Sequence, residues 1–196
     1  SLEVMQTLCH HTVYQKHLAN GDYKQVIMLG FSDGTKDGGY LKANWQIYTA
    51  KEKLTKLSEE NGIKVVFFDG RGGPPARGGG KTHDFYASQG NTIANNQIEL
   101  TIQGQTITSV FGNKDQAKFN FEQLLTAGVE NDVFKSVKKD LNEKERSLIS
   151  ELADISYKKY SDLKAHPMFV PYLQEMSTLE YYGRTNIGSR PSKRGA

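Results

Sequence analysis

The chain has 196 residues, 25 Lys and Arg against 22 Asp and Glu, 37% apolar residues and five prolines, which fits one domain with a core of its own and excludes wholesale disorder. No apolar run approaches the roughly 20 residues of a membrane helix, no signal-peptide pattern opens the chain, and Cys9 has no partner for a disulfide or a CxxC zinc site, so the expectation is a soluble, cytoplasmic protein of a reducing compartment. A net charge of +3 is too small to argue for nucleic acid, and Arg184, Arg190, Lys193 and Arg194 in the acid-free tail account for all of it.

In chain order, Leu2 to Leu18 carries apolar residues at loose helical spacing and is broken by Gly21-Asp22. Val26 to Phe31 is a short, nearly continuous apolar run, the pattern of a strand buried on both faces. A polar, glycine-rich turn is expected over Ser32 to Gly39. Leu41, Trp45, Tyr48 and then Ile47, Ala50, Leu54 and Leu57 recur at three and four, which predicts a helix over Tyr40 to Glu60, stopped by Asn61-Gly62. Val65 to Phe68 repeats the buried-strand pattern. Strand, helix, strand with short connections implies a parallel pair, and both strands end in glycine-rich segments.

Further along, Ile98, Leu100 and Ile102 alternate with polar residues as in a half-buried strand, and Gly104 marks a turn before a second β segment, Thr106 to Phe111. Lys114 to Leu125 reads as a helix. Asn142 is placed to cap a helix reaching Ala165, with Leu148, Leu152 and Ile155 on one face, and His166-Pro167 ends it. A short helix follows around Met168 to Met176, and the last twenty residues show no periodicity. Trp45 and the Tyr and Phe residues fall mainly at positions expected to pack in the core.

The chemistry points to the two strand ends, where parallel α/β architectures collect their functional groups. Six of the eleven residues from Gly70 to Gly80 are glycine, and Arg71 and Arg77 sit among them. Glycine lets backbone N–H groups approach an anion, and Arg offers a planar fork for phosphate or carboxylate. The bland alternative is a solvated surface loop. Neither a Walker A loop ending at Lys81-Thr82 nor a dinucleotide fingerprint from Gly70 fits, because both need glycine where Pro75 stands. In Ser32 to Gly39, Asp33 is a candidate ligand for a hard cation and Lys36 a candidate for neutralising a ligand oxygen. The alternative there is an Asx turn, with Asp37 capping the next helix. The five histidines lack metal-ligand spacing, and His83 is close enough to the loop to be an acid–base candidate.

These residues carry a resemblance. Gly30 to Gly39, GFSDGTKDGG, resembles the G-(Y/F)-S-D-x-x-K-D-(A/G)-G element of the phosphoenolpyruvate carboxylase family. Phe68 to His83 is similar to that family's F-H-G-R-G-G-x-x-x-R-G-G-(G/A)-x-T-H loop, and Asn186 to Arg194 to its N-I-G-S-R-P-(A/S)-K-R segment. The three occur in the family's order and spacing across essentially the whole chain.

The resemblance implies an α/β fold, part of a parallel (β/α)8-type barrel with additional helices, and makes residues 1–196 one partial catalytic domain of a much longer subunit. It implies carboxylation of phosphoenolpyruvate by bicarbonate to oxaloacetate, with Mg²⁺ or Mn²⁺ as cofactor. Asp33 matches a metal-ligand position, Lys36 a catalytic lysine, Arg71 and Arg190 positions that hold the phosphoryl group, and Arg77 the arginine associated with bicarbonate and with an inhibitory aspartate or malate. Other family site residues fall upstream of Ser1 and beyond Ala196, so the chain is expected to be inactive alone and to work with the rest of its own subunit in a homotetramer; its buried-type strands, lacking the neighbours that complete a barrel, make it expected to be poorly stable or self-associating. One departure stands out. Where the family usually has His, this chain has Asp69, which accepts a proton when ionised but presents no cationic donor. A non-catalytic module binding phosphate or dicarboxylate through the same arginines is the alternative.

Overall fold

A computed structural model describes residues 2–72, 80–102, 105–133, 140–178 and 181. In chain order the elements are α1 (Leu2–Cys9), α2 (Thr12–Asn20), β1 (Lys24–Leu29), α3 (Phe31–Gly38), α4 (Tyr40–Glu60), β2 (Lys64–Gly72), α5 (Thr82–Ala87), β3 (Ile98–Ile102), α6 (Gln105–Phe111), α7 (Lys114–Val133), α8 (Glu143–Ala165) and α9 (Phe169–Met176). The strands form one parallel sheet in the order β1-β2-β3, with Leu29 opposite Asp69 and Phe67 opposite Ile98. Each strand reaches the next through helices, as parallel pairing requires. The class is therefore α/β with a small parallel sheet, as expected. No helix of the described residues is long and apolar enough to cross a membrane.

The core lies between the sheet and α4. Leu54, Phe67 and Ile93 are buried together, with Ile27, Leu29, Tyr48 and Val65 packed around them. A smaller cluster of Cys9, Leu18 and Ile63 closes the end that α1 and α2 cover. α4 matches its predicted bounds because the apolar spacing and Asn61-Gly62 agree. Asn142 caps α8 as expected, and Glu145 returns the bond, so both backbone N–H groups are satisfied in a capping box.

Several expectations are corrected. The single helix over Leu2 to Leu18 is two, because the His11 side chain accepts from Val13 N–H and starts α2 afresh. β1 is not buried on both faces: Ile27 and Leu29 enter the core, whereas Val26 and Met28 stand exposed on a face that no described element covers. Ser32 to Gly39 is mostly helix rather than turn, and Gly39, not Asp37, caps α4. Thr106 to Phe111 is helical despite its β-branched residues, because α6 packs on α7 through the Phe111 and Phe121 rings and Asn120 donates to the Val110 carbonyl. α7 runs eight residues past its expected end. Leu148, Leu152 and Ile155 share one face of α8, as expected, and stand exposed. The aromatic expectation holds for Phe31, Trp45, Phe67 and Tyr86, but Tyr40, Phe119, Phe121 and Tyr172 are exposed.

Candidate functional site

The parallel pairing of β1 with β2 brings the two glycine-rich segments to one end of the sheet. Gly70 is tied to this approach, since a Cβ there would stand 3.0 Å from the Leu29 carbonyl oxygen. From β1 the chain turns at Gly30 directly into α3, which carries Asp33 and Lys36 one turn apart. Their side chains are exposed and pair at 3.5 Å. Phe31, the first residue of α3, is buried, and its ring meets Phe85 of α5 edge-on at 5.5 Å.

Phe67, Asp69 and Arg71 are alternate residues of β2, and despite a register shift between Asp69 and Gly72 all three meet the same cluster of Lys51, Phe85 and Tyr86. All three are buried. The Arg71 guanidinium lies 3.9 Å from the Phe85 ring centroid and 5.9 Å from that of Phe31, held by cation–π contact at the root of α3. Its Nε has no hydrogen-bond partner, and no ion pair joins it to an acid among the described residues. Burial pushes its pKa down, against the opposing influence of Tyr86 and Asp69.

Asp69 is fully enclosed and takes two donors on one oxygen: Lys51 Nζ at 2.7 Å and the Tyr86 hydroxyl at 2.9 Å both reach Oδ2, while Oδ1 has no partner. Lys51 is itself 1% exposed. Its ammonium sits 5.0 Å from the Phe67 ring centroid, 5.5 Å from Phe85 and 5.7 Å from Tyr86. Burial pulls the Lys51 pKa down while the Asp69 charge and hydrogen bond resist. Burial first, then the Asp69 carboxylate, push the Tyr86 phenol well above its ordinary range, so it remains a donor. Removing one partner of such a buried pair costs about 3–5 kcal/mol, because the other charge is stranded.

α5 is fixed from outside by α7, where Asn131 Nδ2 donates to the Tyr86 carbonyl at 2.8 Å. His83, at the start of α5, points at acids rather than at Arg71: Nε2 lies 3.7 Å from Glu130 and Nδ1 3.4 Å from Asp84. The other end of α3 is held by α8. Tyr160 donates to the Lys36 carbonyl at 2.7 Å, and Lys164 to the Lys36 and Asp37 carbonyls at 3.2 and 3.0 Å, satisfying helix-end acceptors.

A family model described as phosphoenolpyruvate carboxylase matches residues 1–196. The chain belongs to the phosphoenolpyruvate carboxylase family. It is 35% identical over 192 residues to the phosphoenolpyruvate carboxylase of Corynebacterium efficiens. That match covers 97% of this chain and 21% of the relative, so the chain spans about a fifth of that protein's length.

Within this phosphoenolpyruvate carboxylase segment the structure gathers Asp33, Lys36, Asp69 and Arg71 around two adjacent strand ends. Arg77 and Arg190 lie outside the described residues. No group of three His, Cys, Asp or Glu side chains forms a metal cage among the described residues. Asp33 alone offers one exposed hard oxygen, which fits a Mg²⁺ that takes its remaining ligands from water and bound oxygens. Sequence reasoning missed Lys51, Phe85 and Tyr86. The signal for Lys51 was present: it occupies the helical stripe of Ala43, Ile47, Leu54 and Ser58, and a lysine there calls for a buried acid such as the one that interrupts the apolar run of β2.

Proposed function

We propose that this chain is part of the catalytic half of a longer phosphoenolpyruvate carboxylase subunit, which converts phosphoenolpyruvate and bicarbonate to oxaloacetate and phosphate. Family membership supports the reaction class. The observation that carries the reading is Arg71, a buried guanidinium with no acid partner among the described residues, set beside the helix that bears Asp33 and Lys36. Three parallel strands in sequential order with helical crossovers support an arc of a (β/α)8-type barrel.

In this reading Arg71, with Arg77 and Arg190, holds the phosphoryl oxygens and neutralises charge there while a bicarbonate oxygen attacks phosphorus. The enolate of pyruvate leaves, and Lys36 offsets the charge on its oxygen. The resulting carboxyphosphate releases phosphate and CO₂, and the enolate carbon attacks CO₂ to form oxaloacetate. Asp33 would hold Mg²⁺ or Mn²⁺ through its carboxylate, and the cation, when bound, adds positive charge at the phosphoryl group. Asp69, enclosed and committed through Oδ2 to Lys51 and Tyr86, takes part from beneath the strand end, where its charge sets the field around Arg71. A homotetramer and inhibition by aspartate or malate through Arg77 complete the proposal.

The test follows oxaloacetate and phosphate separately from the full-length protein, given phosphoenolpyruvate, bicarbonate and Mg²⁺. Equal yields support a complete carboxylase. Phosphate without oxaloacetate means that the first half-reaction runs and Asp69 fails to assist the second. Neither product overturns the enzyme reading in favour of a phosphate- or dicarboxylate-binding module.

A further inference from the structure

We infer that Lys51 is a positioning residue for the anion site: by taking up the Asp69 carboxylate, its ammonium leaves the Arg71 guanidinium free to meet an anionic oxygen. The inference rests on the role proposed above for Arg71. Asp69 and Arg71 stand two apart on β2, and although the register shifts between Asp69 and Gly72, both side chains lie against α5: Tyr86 donates to Asp69, and the Phe85 ring carries the Arg71 guanidinium. A buried carboxylate so placed beside a flexible guanidinium is its natural partner, and the low-dielectric surroundings favour the pairing. The structure shows a different arrangement. Lys51 and Tyr86 both donate to Asp69 Oδ2, and the Arg71 cation is drawn instead onto the faces of Phe85 and Phe31.

The charge arithmetic decides between two roles for Lys51. Two cations and one carboxylate leave one positive charge at the strand end, and that charge sits on the side chain with the unpartnered nitrogen. Lys51 itself is no candidate to touch ligand, because Phe67, Phe85 and Tyr86 enclose its ammonium and it is 1% exposed. It therefore acts through Asp69. Without it, Asp69 keeps only the neutral Tyr86 donor, and Arg71 becomes the nearest remaining cation. Paired with Asp69, Arg71 would offer an anion little net charge.

The test measures inorganic phosphate binding calorimetrically on the full-length protein, with the thermal midpoint of each variant recorded to establish that it is folded. Arg71→Met is expected to weaken phosphate binding by about tenfold or more, and Lys51→Met by a similar factor. The double variant Lys51→Met/Asp69→Asn is expected to return to within about threefold of the unaltered protein, because the competing carboxylate is gone. A purely structural role for Lys51 predicts no such rescue. Undiminished binding by Lys51→Met, or a folded double variant as weak as Arg71→Met, overturns the inference. If Lys51→Met does not fold, the double variant decides alone, since replacing both charges of a buried pair is usually tolerated. If Arg71→Met binds phosphate normally, the assignment of Arg71 fails and this inference with it; if only Lys51→Met does so, the assignment stands and the role of Lys51 falls.

Discussion

Glu52 of α4 lies against α8, where Arg146 grips it with both arms, Nη1 to Oε2 at 2.7 Å and Nη2 to Oε1 at 2.8 Å, and Thr92 adds a third bond. Burial raises the cost of ionising this carboxyl, but these donors outweigh it and hold the pKa below the ordinary glutamate value. A group depressed in the folded state contributes stability that is fully present above its unfolded pKa, about 4.3, and that is lost as pH falls through the lower folded value. Replacing Glu52 by Gln is therefore expected to lower stability at neutral pH and to flatten the acid limb of a denaturant-midpoint titration between about pH 5 and 3. An unchanged acid limb would remove Glu52 from the account. Asp69 shows how residue type alone misleads at this scale. Sequence reasoning read it as a lone acceptor replacing a histidine, and its position in the motif was legible. Its partner Lys51 was not, because the pairing runs from strand to helix over eighteen residues and depends on which way a buried side chain points.

At the scale of elements, α3 is the instructive case. Its Gly34 and Gly38 carry turn propensity, yet the segment is helical because Phe31 is anchored in the core and α8 satisfies its last carbonyls. Tertiary packing overrides a weak local preference, as it does for the β-branched α6. α4 and α8 were legible because spacing and stop signals agreed; what covers the α8 apolar stripe was not, since periodicity marks a face and says nothing of its neighbour. α8 instead docks by Arg146, Ser150, Asp154 and Tyr160. Between α3 and α4, Gly39 holds φ at 75°, and a Cβ there would press on the Tyr160 ring at 3.3 Å. Gly39→Ala is expected to cost about 1–3 kcal/mol in chemical denaturation and to loosen α3, seen as faster amide exchange at Lys36 and Asp37. A loss below about 0.5 kcal/mol would mean that the turn relaxes freely.

Over the whole molecule, the described surfaces are unevenly finished. The sheet and α4 enclose a core, whereas Met28 on β1, Phe119 and Leu125 on α7, Leu152 on α8 and Met176 on α9 stand about half exposed or more. So many large apolar side chains in water favour association with other protein, and a strand paired on one side only is a further site for it. The 196-residue chain produced alone is therefore expected to self-associate, with a sedimentation coefficient that rises with concentration over the micromolar range. A monomer that unfolds in one sharp transition would contradict this.

The chain has a single tryptophan, and the fold puts it where α4 meets α8: Trp45 is 8% exposed, stacked on Tyr48, and its indole N–H donates to Ser150 at 2.9 Å. Since α8 also holds the end of the helix that bears Asp33 and Lys36, the molecule carries its own optical gauge of that docking. Lifting α8 away would expose the indole to water and shift its fluorescence to longer wavelength, so emission from an unlabelled sample reads how firmly the strand-end site is braced from behind.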